Sequence, residues 1–130
     1  MKYLGKTKGF DTYAWAGKPN YLSKFGFIER NNFYNNKPCD EKEVSEVKLK
    51  IDEYFLSKSK RIFKHTTSYG LKHLFEDLRG KYISNGEFIK AMIDSGFDIE
   101  VDGPNARFNI HKSSYNEIVK ARRKTLNNKP

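Results

Sequence analysis

Residues 67–111 read TSYGLKHLFEDLRGKYISNGEFIKAMIDSGFDIEVDGPNARFNIH, and this stretch decides the fold. Leu71, Leu74, Phe75 and Leu78 recur at i, i+3, i+4 and i+7, the spacing of one helix face. Gly80 follows the last of them, where a helix C-terminus turns left-handed. Ser84 and Glu87 then have capping-box spacing, with the Glu87 carboxylate predicted to reach back to the Ser84 N–H. Phe88, Ile89, Met92 and Ile93 form the next apolar stripe, and Gly96 with Phe97 supplies a Schellman ending. The short turn at residues 81–83 makes the two helices cross steeply, as in a helix-turn-helix.

A hairpin follows. Phe97, Ile99 and Val101 alternate with Asp98, Glu100 and Asp102; Ala106, Phe108 and Ile110 alternate with Arg107, Asn109 and His111. Asp102-Gly103-Pro104-Asn105 carries the turn chemistry between them. Helix, turn, helix and hairpin in this order are the grammar of a winged helix-turn-helix. The predicted class is α+β: three helices plus a β-hairpin wing over residues 39–112, an aromatic and basic N-terminal extension over 1–38, and a basic C-terminal helix and tail over 113–130.

Outside the central stretch the signals thin out. The first 38 residues hold nine of the chain's 19 aromatics, broken by glycines and asparagines. So many aromatics predict turns and short extended pieces packed on the body rather than a disordered tail, with residues 21–29 the best strand. Residues 40–58 read as a helix capped by Asp40, with Val44, Val47, Ile51, Tyr54 and Phe55 inward; residues 61–66 are a linker. Ser114 and Glu117 repeat the capping-box spacing and predict a last helix over 114–124, with Tyr115, Ile118 and Val119 inward.

The chain has 130 residues and a formal net charge of +9, which suits one domain drawn to polyanions. The charge is uneven. Residues 1–38 carry seven Lys/Arg against two acids, and residues 112–130 carry six against one, so each end is +5. Residues 67–96 balance at four against four, and the hairpin, with one Arg against three acids, is −2. No apolar run is long enough for a membrane span, and the N-terminus lacks the apolar core of a signal peptide, so the expected location is the cytoplasm of a bacterial cell.

The strings SYGLKH, YISNGEFIKAMIDSGF and GPNARFNI resemble small proteins of phages and other mobile elements that carry a winged-helix-like module. The resemblance spans about a third of the chain and implies DNA binding, the second helix, residues 84–95, entering the major groove and the hairpin acting as wing. On that helix Asn85, Gly86, Lys90 and Asp94 are the expected outward residues, with Asn85 for adenine and Lys90 for guanine or phosphate. Arg107 and His111 face the backbone from the second wing strand. The basic ends add phosphate contacts through Lys6, Lys8 and Lys18, and through Lys112, Lys120, Arg122, Arg123 and Lys124. Trp15, Tyr13 and Tyr21, interleaved with lysines, are stacking candidates for a single strand of DNA or RNA.

Asp98, Glu100 and Asp102 oppose that picture, since carboxylates beside phosphates repel. Cross-strand pairing with Arg107 is the bland reading. The sharper one is a surface for a protein partner. The leading expectation is therefore a non-enzymatic duplex-DNA-binding regulatory protein, with DNA ahead of RNA as partner and homodimerisation compatible. The alternative is a protein–protein inhibitor of a host defence or nucleic-acid-processing enzyme, of the anti-CRISPR type.

Catalysis finds little support. His65, His73 and His111 lack metal-ligand spacing, so neither metal nor cofactor is expected. Cys39 follows a proline with no histidine near in sequence and reads as a buried thiol, not a nucleophile. No glycine loop suited to cradling phosphate occurs.

Overall fold

Four short strands open the chain, where the sequence pattern suggested an irregular extension. The computed structural model describes residues 1–128, apart from the side chain of Asn31; Lys129 and Pro130 of the C-terminal segment lie outside them. Strands β1 (Lys2–Thr7), β2 (Phe10–Trp15), β3 (Lys18–Ser23) and β4 (Gly26–Ile28) form an antiparallel meander in the order β1-β2-β3-β4. Thr7 pairs with Phe10 and Trp15 with Lys18, so Lys8-Gly9 and Ala16-Gly17 are two-residue hairpin loops. All four have positive φ, the conformation whose twist matches that of the flanking strands. Residues 21–29 are not one strand: they span the end of β3, the Lys24-Phe25 turn and β4.

Both faces of this sheet are covered. Phe10 and Tyr21 on the outer face pack on Phe33 of a 3₁₀ turn (Arg30–Asn35), with ring centroids 5.3 and 4.9 Å apart. Asp11, Tyr13, Leu22 and Phe27 are buried on the other side, facing the helices.

The helices are α1 (Glu41–Asp52), α2 (Ser68–Arg79), α3 (Asn85–Asp94) and α4 (Lys112–Asn127); a second sheet pairs β5 (Ile99–Asp102) with β6 (Asn105–Phe108). The protein is thus α+β, with four helices, a four-stranded antiparallel sheet and a two-stranded one. No described helix is long and apolar enough to cross a membrane.

The predicted caps of the central stretch form. Gly80 ends α2 with φ 73°, and Ser84 accepts the Glu87 N–H. The Phe97 N–H reaches the Met92 carbonyl and the Gly96 N–H that of Ile93, as a Schellman ending requires. Glu87 departs from the expected box. Its buried carboxylate accepts the Ser84 hydroxyl at 2.6 Å and the backbone N–H of Asp40 at 2.7 Å. The reason is tertiary: the start of α1 lies against α3, and its unsatisfied N–H needs an acceptor.

Three boundaries shift. Helix α1 stops at Asp52, and Phe55, expected inward, is 89% exposed with φ 48°. The chain then turns so that Lys58 bridges Ile110. Ser59 and Phe63 donate to the Asn109 and Phe108 carbonyls, and His111 donates to that of Ser57. The segment from Ser57 to Phe63, expected to be the end of the first helix and the start of the linker, is therefore edge-paired to the hairpin. Helix α4 begins at Lys112, capped by His111, whose Nδ1 accepts the Ser113 N–H at 3.1 Å. His111 is thus committed to a helix end rather than to a strand, and Ser114 accepts the Ser57 N–H at 2.8 Å instead of capping.

Helix α3 is the centre of the assembly, with residues 85–92 all buried. The β3–β4 turn lies across its first turn, and the Gly86 N–H donates to the Lys24 carbonyl at 2.8 Å. A Cβ on Gly86 would stand 1.7 Å from the Ser23 carbonyl oxygen, so only glycine permits this approach. Gly86→Ala should therefore cost about 3 kcal/mol, as overpacking against backbone does. A thermal or urea unfolding midpoint unchanged from wild type would refute the contact.

Candidate nucleic-acid interface

The residues proposed from sequence to read bases are not available to do so. Asn85 and Lys90, expected outward on α3, are both buried. The Asn85 amide nitrogen donates to Asn105 Oδ1 at 2.9 Å and lies near the Phe25 and Pro104 carbonyls. Lys90 donates to Asp11 at 2.9 Å and is also paired with Glu41. Helical spacing places these residues off the apolar stripe of α3, but it does not show that the N-terminal sheet and the hairpin tip cover them.

Asp11 is the anchor of this cluster. It is 1% exposed and also accepts from Lys6 at 3.1 Å and from the Tyr3 hydroxyl at 2.9 Å. Burial alone would raise its pKa, but the hydrogen bonds from Lys90, Lys6 and Tyr3 outweigh that and hold it below the usual value. Burial works against the Lys90 ammonium, and the Glu41 and Asp11 carboxylates more than offset it, so its pKa is raised. Lys6, expected to meet phosphate, is largely consumed here.

The stacking candidates divide. Tyr13 and Tyr21 are buried core residues, which removes them as platforms. Burial pushes the Tyr13 hydroxyl pKa upward, with the Asp11 and Asp94 charges adding to it. Trp15 is half-buried and lines a cleft of about 600 Å³ between the sheet and the hairpin tip. Lys18 and Arg30 line the same cleft, and both are exposed.

The acidic hairpin face is largely internally balanced. Arg107 pairs with Asp102 at 2.7 Å and approaches Glu100 at 3.9 Å, and Lys64 also pairs with Glu100. Asp98 is exposed. Arg107, expected to touch phosphate, is thus spoken for by its own strand pair. On α4, Arg122 pairs with Asp77 at 2.6 Å and Lys120 with Glu117 at 3.6 Å.

What remains includes cations with no carboxylate within ion-pair distance among the described residues. Lys8, Lys18, Lys24 and Arg30 surround the sheet; Lys112, Arg123 and Lys124 mark α4; Lys58, Lys60 and Arg61 lie on the segment paired with the hairpin. Lys8 sits 5.6 Å from the Phe33 ring centroid. Arg30, Lys60 and Arg61 carry no periodic signal in the sequence: Arg30 opens the 3₁₀ turn, and Lys60 and Arg61 are neighbours in the segment paired with the hairpin.

Cys39 is buried, its thiol 3.6 Å from the Ser23 carbonyl, and burial pushes its pKa up to about 12. Such a thiol is a poor nucleophile. No group of three or more His, Cys, Asp or Glu among the described residues could hold a metal ion.

No protein-family model, no curated protein and no solved structure matches this chain.

Lys90→Met should cost about 3 kcal/mol, because it strands a buried carboxylate. The depressed Asp11 pKa makes its contribution to stability full above the ordinary carboxylate range, near pH 4, and lost as pH falls through the folded value. The Lys90→Met variant should therefore show a weaker loss of stability on acidification than wild type. Parallel acid-unfolding curves for the two proteins would refute the pairing.

Proposed function

We propose that this chain is a non-enzymatic nucleic-acid-binding protein that grips phosphates without reading bases through a recognition helix. The carrying observation is the contrast between α3 and the outer surface: the helix that would enter a groove is buried, while most of the charge excess sits on unpaired exposed cations. Cations free of acid partners bind a polyanion by releasing its counterions, a contribution that does not depend on sequence.

In this reading α1, the 57–63 segment, α2, α3 and the β5–β6 hairpin constitute a winged-helix-type module of the kind carried by phage and mobile-element proteins. Support comes from the element order and from the Lys58–Ile110 bridge, which adds a third chain segment beside the hairpin. The N-terminal sheet then occupies the side of α3 that a DNA groove would otherwise meet. The grip falls to Lys18 and Arg30 around the Trp15 cleft and to Lys112, Arg123 and Lys124 on α4.

A second reading, an inhibitor that binds a host protein, draws on Phe55. A phenylalanine held at φ 48° and 89% exposed is costly in both backbone strain and hydration. Leu49, 68% exposed, lies six residues earlier on α1. A partner that covered both residues would offset that cost.

Replacing Lys18 and Arg30 by Ala, or Arg123 and Lys124 by Ala, should weaken binding equally on unrelated DNA sequences. Each lost phosphate contact should flatten the log-affinity against log-salt slope by about one. Fluorescence anisotropy over a salt series measures both. Absence of binding to any nucleic acid at low salt would end this reading, and loss of a lysate partner on Phe55→Ser would support the second.

A further inference from the structure

Three of the chain's most exposed aromatic rings come from distant parts of the sequence and line one pocket. Phe25 stands on the β3–β4 turn, Tyr69 on the first turn of α2, and Tyr82 in the turn before α3. They are 56%, 55% and 60% exposed, and together they border a hollow of about 470 Å³. Lys72 forms part of its lining; its side chain is only 5% exposed, and its ammonium sits 5.2 Å from the Tyr69 ring centroid and 5.0 Å from that of Tyr82. Glu76 pairs with Lys72 at 3.2 Å. Asn85 also lines the hollow, and its amide oxygen is buried without a hydrogen-bond partner among the described residues.

We propose that this pocket takes one unpaired base of a single-stranded nucleic acid. Three properties select that ligand. Exposed rings from three elements offer stacking surface, which every base can use regardless of identity. Glu76, just outside the lining, pairs with Lys72 at 3.2 Å and with the lining residue His73 at 2.7 Å, which leaves the pocket without a strong net charge, suited to an uncharged ring. A cationic guest is disfavoured, because Lys72 already occupies the aromatic faces that would attract one. Lys24, without an ion-pair partner among the described residues, stands beside Tyr82 in an adjoining hollow and can take a phosphate next to the base; Lys81 in the same hollow is held by Glu43 at 3.8 Å. The inference rests on the phosphate-binding reading above and adds a preference for single strands to it.

The test uses the full chain and three labelled probes of equal length: an oligothymidylate, the same backbone with abasic sites, and a duplex. Wild type should bind the oligothymidylate about tenfold more tightly than the abasic strand, the contribution of a stacked base. Tyr69→Ala with Tyr82→Ala should erase that difference while leaving abasic and duplex binding unchanged. Tyr82→Phe, which keeps the ring, should preserve it and guards against a folding defect. Equal affinity of wild type for the thymidylate and abasic strands overturns the pocket while sparing the phosphate reading. So does an equal fall on all three probes in the Tyr variants. No binding to any probe overturns both.

Discussion

The contact between the β3–β4 turn and the first turn of α3 is the constraint on which the rest depends. A helix N-terminus presents backbone N–H groups that must find acceptors. Here the Lys24 carbonyl serves the Gly86 N–H, and the bare Cα of Gly86 lets the two backbones meet. The same seam is stitched at the hairpin, where the Phe27 N–H donates to the Pro104 carbonyl at 3.0 Å. Once the turn is seated, the inner face of the sheet lies over α3, and Asp11 is brought within reach of Lys90. A residue with the spacing of a surface lysine becomes the partner of a buried carboxylate.

Burial of that helix redistributes the protein's chemistry. Ion pairs claim the charges nearest the body: Lys6 and Lys90 on Asp11 and Glu41, Arg79 on Glu43 and Glu46, Arg107 on Asp102, Arg122 on Asp77. The net charge of +9 therefore resides mainly in cations that face solvent alone. Such charges act over about a Debye length and attract any polyanion, whereas pairing within the hairpin lowers its repulsion. Aromatic rings follow the opposite logic. Those of the N-terminal sheet that a strand of nucleic acid was expected to stack on, Tyr13 and Tyr21, are spent on packing. Those left exposed around Lys72 converge only because three separate turns meet there.

Much of the central fold is legible in the sequence. The α2 and α3 boundaries, the Ser84 cap, the Gly80 and Gly96 endings and the register-bearing hairpin all follow from local rules, because caps and two-residue periods are enforced by the backbone itself. The N-terminal meander was legible in part: Lys8-Gly9 and Ala16-Gly17 sit eight residues apart, the spacing of short hairpins, yet the strands between them alternate poorly because both sheet faces are covered. Where β2 buries Phe10, Asp11, Thr12 and Tyr13 in succession, no period-two signal survives.

The sequence by itself determined the helices and hairpin of the central stretch, their order, and an excess of positive charge held at the two ends. Only the tertiary structure decided which of those charges and rings are free to meet a partner. Periodicity reports the face of a helix, but not whether another layer will cover the opposite one. Glu87 capping α1 as well as its own helix, His111 capping α4, Lys90 neutralising Asp11 and Tyr82 beside Phe25 are all choices between local and distant partners. Such choices are settled by proximity after folding, so no spacing along the chain encodes them.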